Sequence, residues 1–247
     1  MAPPKNTTPT EPAARAAPNA GARGAILLAL VVGLWLVVNA VPRLAAGVQM
    51  LRADQVAFDL ALGHAVDAAA LQRAAEGSQR AIERGFGADA YSAFGLIRLR
   101  QAVAGDVMAP LGRRQLGDAV KAERAALMRD PAAPFDWMRL AQASLLLNGV
   151  KPELVAPLRM SLRTGAFEPG LLLPRLELAY LLWRDLDAPL RTAVAVQLKV
   201  AVQQDPREVA AIARRHYVRQ HIREALQGSP RELADFDKAY AALTSTR

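Results

Sequence analysis

The chain has 247 residues, no cysteine, a formal net charge of +8, 52% hydrophobic residues and only 5% aromatic ones. The lack of cysteine excludes disulfides, thiolate metal sites and a cysteine nucleophile. The basic balance points to partners of opposite sign, such as phospholipid headgroups, acidic polysaccharide or an acidic protein face.

Residues 1–23 are rich in Pro, Thr and Ala and nearly free of apolar bulk. Such a segment cannot bury enough surface to offset its ordering entropy, so a disordered tail is expected there. Residues 24–42, GAILLALVVGLWLVVNAVP, form an uncharged run between Arg23 and Arg43 with Asn39 as the one strongly polar side chain. At about 1.5 Å per residue, such a helix crosses most or all of a roughly 30 Å hydrocarbon layer. It is apolar on every face, which argues against a buried core helix. Two readings stay open: a retained signal anchor, or a signal peptide cleaved at Val38-Asn39-Ala40. The apolar stretch is longer than the usual ~7–15 residues of a cleaved leader, which favours retention. Lys5, Arg15 and Arg23 precede the run, whereas Arg43 and Arg52 beyond it are balanced by Asp54 and Asp59. That bias places the tail in the cytoplasm and the bulk outside. In a bacterium this means an inner-membrane, single-pass protein with a periplasmic domain, which meets no nucleic acid.

Residues 43–247 are dominated by Ala, Leu, Arg, Gln and Glu, all good helix formers, and no alternating strand pattern stands out. The fold expected is all-α: an N-terminal transmembrane helix followed by a stack of antiparallel helical hairpins. Apolar periodicity and breakers predict helices over 44–62, 66–84, 90–104, 111–129, 135–148, 152–163, 169–186, 188–204, 206–227 and 230–243. Gly85-Phe86-Gly87 is a strong stop, and Asp89 is a candidate cap for the helix that follows. Three acid-Pro pairs recur: Asp130-Pro131, Glu168-Pro169 and Asp205-Pro206. Pro suits a first helical turn, and the acid before it can cap that turn, so each pair marks the start of a two-helix unit. Such units bury their apolar faces only by stacking on one another. The block 171–183, LLLPRLELAYLLW, is apolar on most faces, so it belongs inside the stack or, in the alternative reading, lines a groove that takes a partner's helix or peptide. Its Arg175 and Glu177 rule it out as a second span.

At these positions the chain resembles the tetratricopeptide repeat family. Trp137, Leu140 and Ala141 follow the W-x2-L-small opening of that motif. Leu178 and Ala179 hold the equivalent offset from Pro169, and Ala126 and Ala201 stand five residues before Pro131 and Pro206. The period is about four residues longer than the usual ~34. Glu123, Ser161 and Leu198 occupy the second-helix position where the family carries an aromatic. The match covers about 115–215 and implies a repeat-like stack with those seven residues in its core. Residues 161–183 and 186–206 are also similar to a group of bacterial single-span, repeat-like proteins associated with cell-surface polysaccharide synthesis and export. That resemblance implies an accessory scaffold, with envelope proteins and polysaccharide synthesis or export components as partners.

No constellation of residues points to chemistry. His216 and His221 are five apart, His64 is isolated, and Ser92, Ser144 and Ser161 lack a nearby base in sequence. Asp235 and Asp237 stand two apart, on different helix faces. No HExxH, nucleophile elbow or phosphate loop occurs. The expectation is a non-enzyme with no cofactor and no metal. The candidate binding feature is the basic cluster Arg214, Arg215, Arg219 and Arg223, three of them four residues apart on one helix after Pro206. Guanidinium groups in that arrangement suit carboxylate, phosphate or uronate oxygens. The competing reading is a solvated face balanced by Glu208, Glu224 and Glu232. An exported module binding acidic polysaccharide or peptide is the alternative function.

Overall fold

A computed structural model describes residues 20–61, 64–85 and 87–245. Within the first helix, the side chains at 20–23, 26, 42–43, 45–46, 49, 52 and 61 lie outside that description. The tail expected over 1–23 falls outside it up to residue 19, and so does Phe86 of the predicted stop. Among the described residues there are eleven α-helices and no strand, as an all-α fold requires. They are α1 (Ala20–Ala61), α2 (Ala68–Glu83), α3 (Ala88–Ala104), α4 (Pro110–Leu127), α5 (Pro134–Asn148), α6 (Val155–Thr164), α7 (Leu172–Leu181), α8 (Ala188–Gln204), α9 (Pro206–Arg215), α10 (Arg219–Leu226) and α11 (Pro230–Ser245). Short 3-10 segments occupy Pro152–Leu154, Pro169–Leu171 and Trp183–Asp185.

The chain divides into two compact units, Met1–Leu44 and Ala45–Arg247. In the first, Leu27, Leu28, Val31, Trp35, Leu36 and Val38 are all exposed. The one polar side chain of the run is satisfied within the helix, because Asn39 Nδ2 donates to the Trp35 carbonyl at 2.8 Å. The apolar run 24–42 lies in α1, but not all its side chains are described. Among the described residues no helix is long and apolar enough to cross a membrane.

In the second unit, helices adjacent in sequence pack together from α2 through α9, and short connections make such neighbours antiparallel. α3 also touches α5, and α7 touches α9, so odd-numbered helices share a side of the stack. α11 folds back onto α8 and α9. The first core is built of small side chains: Met50 and Ala53 of α1, Leu71, Ala74, Ala75 and Ala81 of α2, and Ala90, Ala93 and Ile97 of α3. The largest core runs from Met138 in α5 to Ala239 in α11. Five of the repeat-core residues, Ala126, Ala141, Leu178, Ala179 and Ala201, are almost inaccessible, and Leu140 is buried. Trp137 is half-buried, and its Nε1 donates to the Pro131 carbonyl at 2.9 Å, pinning the turn before α5.

Several sequence expectations need correction. Only one acid-Pro pair caps a helix: Asp205 accepts from the amides of Arg207 at 3.1 Å and Glu208 at 3.0 Å. Asp130 instead closes a tight turn by accepting from Ala132 at 3.1 Å, and α5 begins at Pro134. Glu168 makes no cap bond, and Pro169 opens a 3-10 turn. Asp89 lies inside the first turn of α3 and does not cap it. The helix expected over 169–186 is pure α only from Leu172 to Leu181, and that over 152–163 also opens as a 3-10 turn.

The helix expected over 206–227 is two helices. Tyr217 has a φ of 56°, and the Val218 amide donates back to the Ala213 carbonyl at 3.0 Å. That bond and a left-handed residue together form a Schellman stop. Glycine is the usual occupant there, so no sequence signal announced the break.

Candidate functional site

Residues of α1, α3, α5 and the start of α7 line an open groove in the second unit, about 440 Å³ in volume. Leu96, Leu99 and Val103 of α3 form one wall. Phe135, Met138, Leu145 and Leu146 of α5 form the floor, and Gly170, Leu171 and Pro174 with Leu60 of α1 complete it. The spacing explains why both helices contribute. Positions 96, 99 and 103 lie on one face of α3, and 135, 138, 142, 145 and 146 on one face of α5. These faces are apolar in addition to the ones that pack against neighbours. Val103 is 51% exposed, Phe135 40% and Leu146 36%, so the groove presents unpaired apolar surface to solvent. Its polar lining consists of Arg100, Arg139 and Gln142, with no carboxylate among the lining residues.

Arg139 is held by a buried polar network at the α3–α4–α5 contact. Its Nε donates to Glu123 Oε1 at 2.8 Å. Its Nη2 donates to Ser92 Oγ at 2.6 Å and also to Asp136 Oδ1. Ser92 Oγ in turn donates to Asp136 Oδ1 at 2.9 Å. Glu123 is wholly buried, and its second oxygen, Oε2, has no hydrogen-bond partner among the described residues. Burial pushes the Glu123 carboxyl up to about 8; Arg139 opposes that rise and Asp136 adds to it. Asp136 is also raised, chiefly by burial and against the pull of Arg139. One guanidinium cannot hold two buried carboxylates in their charged form. Gly95 makes room for the network, since a Cβ there would lie 2.5 Å from Glu123 Oε1.

One repeat further on, a second arginine is buried differently. Arg175 of α7 is 1% exposed. Its Nε donates to Ser161 Oγ at 3.0 Å, its Nη2 to the Ser161 carbonyl at 2.5 Å, and its Nη1 to Gln197 Oε1 at 3.4 Å. No carboxylate pairs with it among the described residues. Burial pushes its pKa down to about 10, with Glu168 opposing, so it remains charged at neutral pH. Glu123 and Ser161 hold equivalent second-helix positions, and each meets an arginine from the following odd helix.

No protein-family model, curated protein or solved structure matches the chain.

The basic cluster near residue 215 does not form one stripe, because the break at Tyr217 separates its halves. Arg214 Nη1 donates to the Leu243 carbonyl at 3.0 Å, and Arg215 pairs with Glu177. Glu177 also lies 3.2 Å from His216 Nε2. Arg219 and Arg223 both approach Asp237 of α11, at 3.5 and 3.4 Å, and Arg219 stacks over the Tyr240 ring. Glu208, Glu224 and Glu232 are not the balancing acids among these pairs; Glu177 and Asp237 are. Each of the four arginines thus has an internal partner. Among the described residues no group of metal-ligating side chains gathers.

The sequence offers a groove only as the alternative for the block 171–183, whose Leu171 and Pro174 do line it; the α3 and α5 walls and the arginine escaped sequence reasoning. Leu96, Leu99, Leu145 and Leu146 have the spacing of core residues, and Arg139, between Trp137 and Leu140, is one of the unspecified positions of the repeat motif. The available signal was Glu123. A carboxylate at a position otherwise reserved for bulk requires a cation from a neighbouring helix.

Proposed function

We propose that the chain is a membrane-tethered scaffold of the cell envelope that holds an apolar helical segment of another protein in the groove between α3, α5 and α7. The single observation that carries this reading is the groove, with exposed Val103, Phe135 and Leu146 on a frame of stacked helices. Its walls come from consecutive odd-numbered helices roughly 10 Å apart, so an occupant crossing them is elongated. An amphipathic helix with apolar side chains at i, i+3, i+4 and i+7 suits such a surface. Paired helices, stacked by sequence order, are the arrangement of a tetratricopeptide-like array, which offers an extended concave face.

The tether is the run 24–42, retained as a signal anchor with the tail in the cytoplasm and residues 43–247 in the periplasm. Its support is the ring of exposed apolar side chains on α1 and the absence of any charge within the run. Cell-surface polysaccharide machinery is the pathway suggested by the resemblance of residues 161–206. The internal pairing of Arg214, Arg215, Arg219 and Arg223 weighs against the alternative of a released module for acidic polysaccharide.

Two measurements test the proposal. Protein from native membranes should resist alkaline extraction, and its mass should include residues 1–42. Val103→Asp with Leu146→Asp should leave the circular dichroism and the membrane fraction unchanged while abolishing co-purification of the envelope partner. Release by alkaline wash, or co-purification unaffected by the double substitution, would refute it.

A further inference from the structure

The polar lining of the groove says what kind of segment it takes. Three of the lining side chains are polar, two of these are arginines, and none is acidic. Arg139 is fixed in place, because its Nε is bound by Glu123 and its Nη2 by Ser92 and Asp136. Its Nη1 makes no hydrogen bond among the described residues, so this is the nitrogen left for an occupant. Arg100 is exposed at the same groove and has no ion-pair partner among the described residues. A guanidinium tethered on one side and open on the other is preorganised to bind a carboxylate, since its rotamer entropy is already lost.

We propose that the helical segment held in this groove carries an acidic side chain among its apolar ones, and that Arg139 reads that carboxylate while Arg100 supplies a second positive charge at the site. The inference rests on the groove reading above. An occupant without the acid leaves the Nη1 protons facing an apolar surface, a desolvation loss with nothing to offset it. One carrying a basic residue meets two like charges. The groove therefore selects against neutral and basic helices as well as for acidic ones.

The charged groups facing Arg139 from the elements packed against it are Glu123 of α4 and Asp136 of its own helix. From α3 the neighbours are Ser92 and Gly95, which do not titrate. Both carboxylates are raised by burial, so protonation of Glu123 leaves the guanidinium with less internal compensation. Recruitment of an acidic segment is accordingly stronger below pH 8 than above it.

The test uses the full-length protein in its native membrane, with photoreactive benzoyl-phenylalanine at position 103 or 146. The segment crosslinked from both positions should show helical apolar spacing with an Asp or Glu between the apolar residues. Arg100→Gln, an exposed and structurally harmless change, should lower the yield about tenfold. A synthetic copy of the captured segment should bind the purified full chain at least tenfold more tightly than its amide (Asn or Gln) counterpart. Arg139→Lys should reduce that acid-to-amide ratio to about one, provided circular dichroism shows it folded; if it does not fold, the peptide pair decides alone. A captured segment lacking an acid, or equal binding of acid and amide peptides, overturns this inference and leaves the groove reading standing. No capture from either position overturns both.

Discussion

Arg139 and Arg175 are two solutions to one problem. Each fills the space beside a fully buried second-helix residue, Glu123 in one case and Ser161 in the other. At Arg139 the guanidinium meets two buried carboxyl groups whose ionisation burial opposes, one of them with an oxygen that has no partner among the described residues. At Arg175 the charge has no counter-ion among the described residues and is solvated by a hydroxyl, a carbonyl and an amide. The first node borders the groove and leaves one nitrogen open. The second has all three nitrogens engaged and holds α6, α7 and α8 together. A buried arginine is thus a structural cross-brace where dipoles satisfy it completely, and a recognition element where they do not.

The sharpest way to break this comparison is to remove each arginine in turn. Arg139→Met removes the one cation that, among the described residues, pairs with the buried Asp136 and Glu123 carboxyls. Unpairing a buried charge typically costs about 3–5 kcal/mol, and urea denaturation of the second unit should show a loss of that size. A loss below about 1 kcal/mol would mean the carboxylates never depended on Arg139.

Gly95→Ala attacks the same node from the α3 side. The new Cβ would meet Glu123 Oε1 at 2.5 Å and its Cδ at 2.8 Å. Glu123 is boxed in and must move, at the expense of its bond to Arg139. Overpacking of this kind costs about 1–3 kcal/mol. A fully wild-type melting temperature for Gly95→Ala would show that the network is loosely held.

Arg175→Met should be milder than Arg139→Met, at about 1–2 kcal/mol. Met reproduces the apolar stem of the arginine, and no charge is left unpaired. The loss comes from acceptors on Ser161 and Gln197 deprived of donors. If Arg175→Met proved the more damaging of the two, the distinction drawn between the nodes would fail.

The two nodes were unequally legible in the sequence. The all-α fold, the bounds of α8 and the burial of Ala126, Ala141, Leu178 and Ala201 follow from local propensity and spacing, which sequence carries directly. The stop at Tyr217 does not, because the left-handed conformation falls on an exposed tyrosine, a residue that does not advertise it. The acid-Pro pairs misled for a related reason. Asp130 spends its carboxylate on a turn, and the cap depends on where packing lets α5 begin. The α3 and α5 walls of the groove were invisible because a leucine facing solvent has the same spacing as one facing the core. Glu123 and Ser161 were visible as departures from a repeat, but only the fold reveals that each is answered by an arginine.

Glu123→Gln gives the smallest effect and the most specific one. The amide oxygen can still accept from Arg139 Nε, and the amide nitrogen replaces an oxygen that has no partner, so at pH 6 the change should be nearly neutral. The wild-type carboxyl is pushed up to about 8 when folded, against an ordinary value of 4.5. Between those values the folded chain keeps a proton that the unfolded chain has released. Its contribution to stability is therefore full below about pH 4.5, declines as pH rises through the window, and is gone above about 8. Gln has no proton to lose. The melting temperature of Glu123→Gln minus that of the wild type should grow more positive from pH 5 to pH 9, by several degrees. Asp136 is raised in the same direction but is present in both proteins, so the difference mainly reports Glu123. A flat difference across that range would show Glu123 ionised throughout, and burial would then not be setting the charge of the Arg139 node.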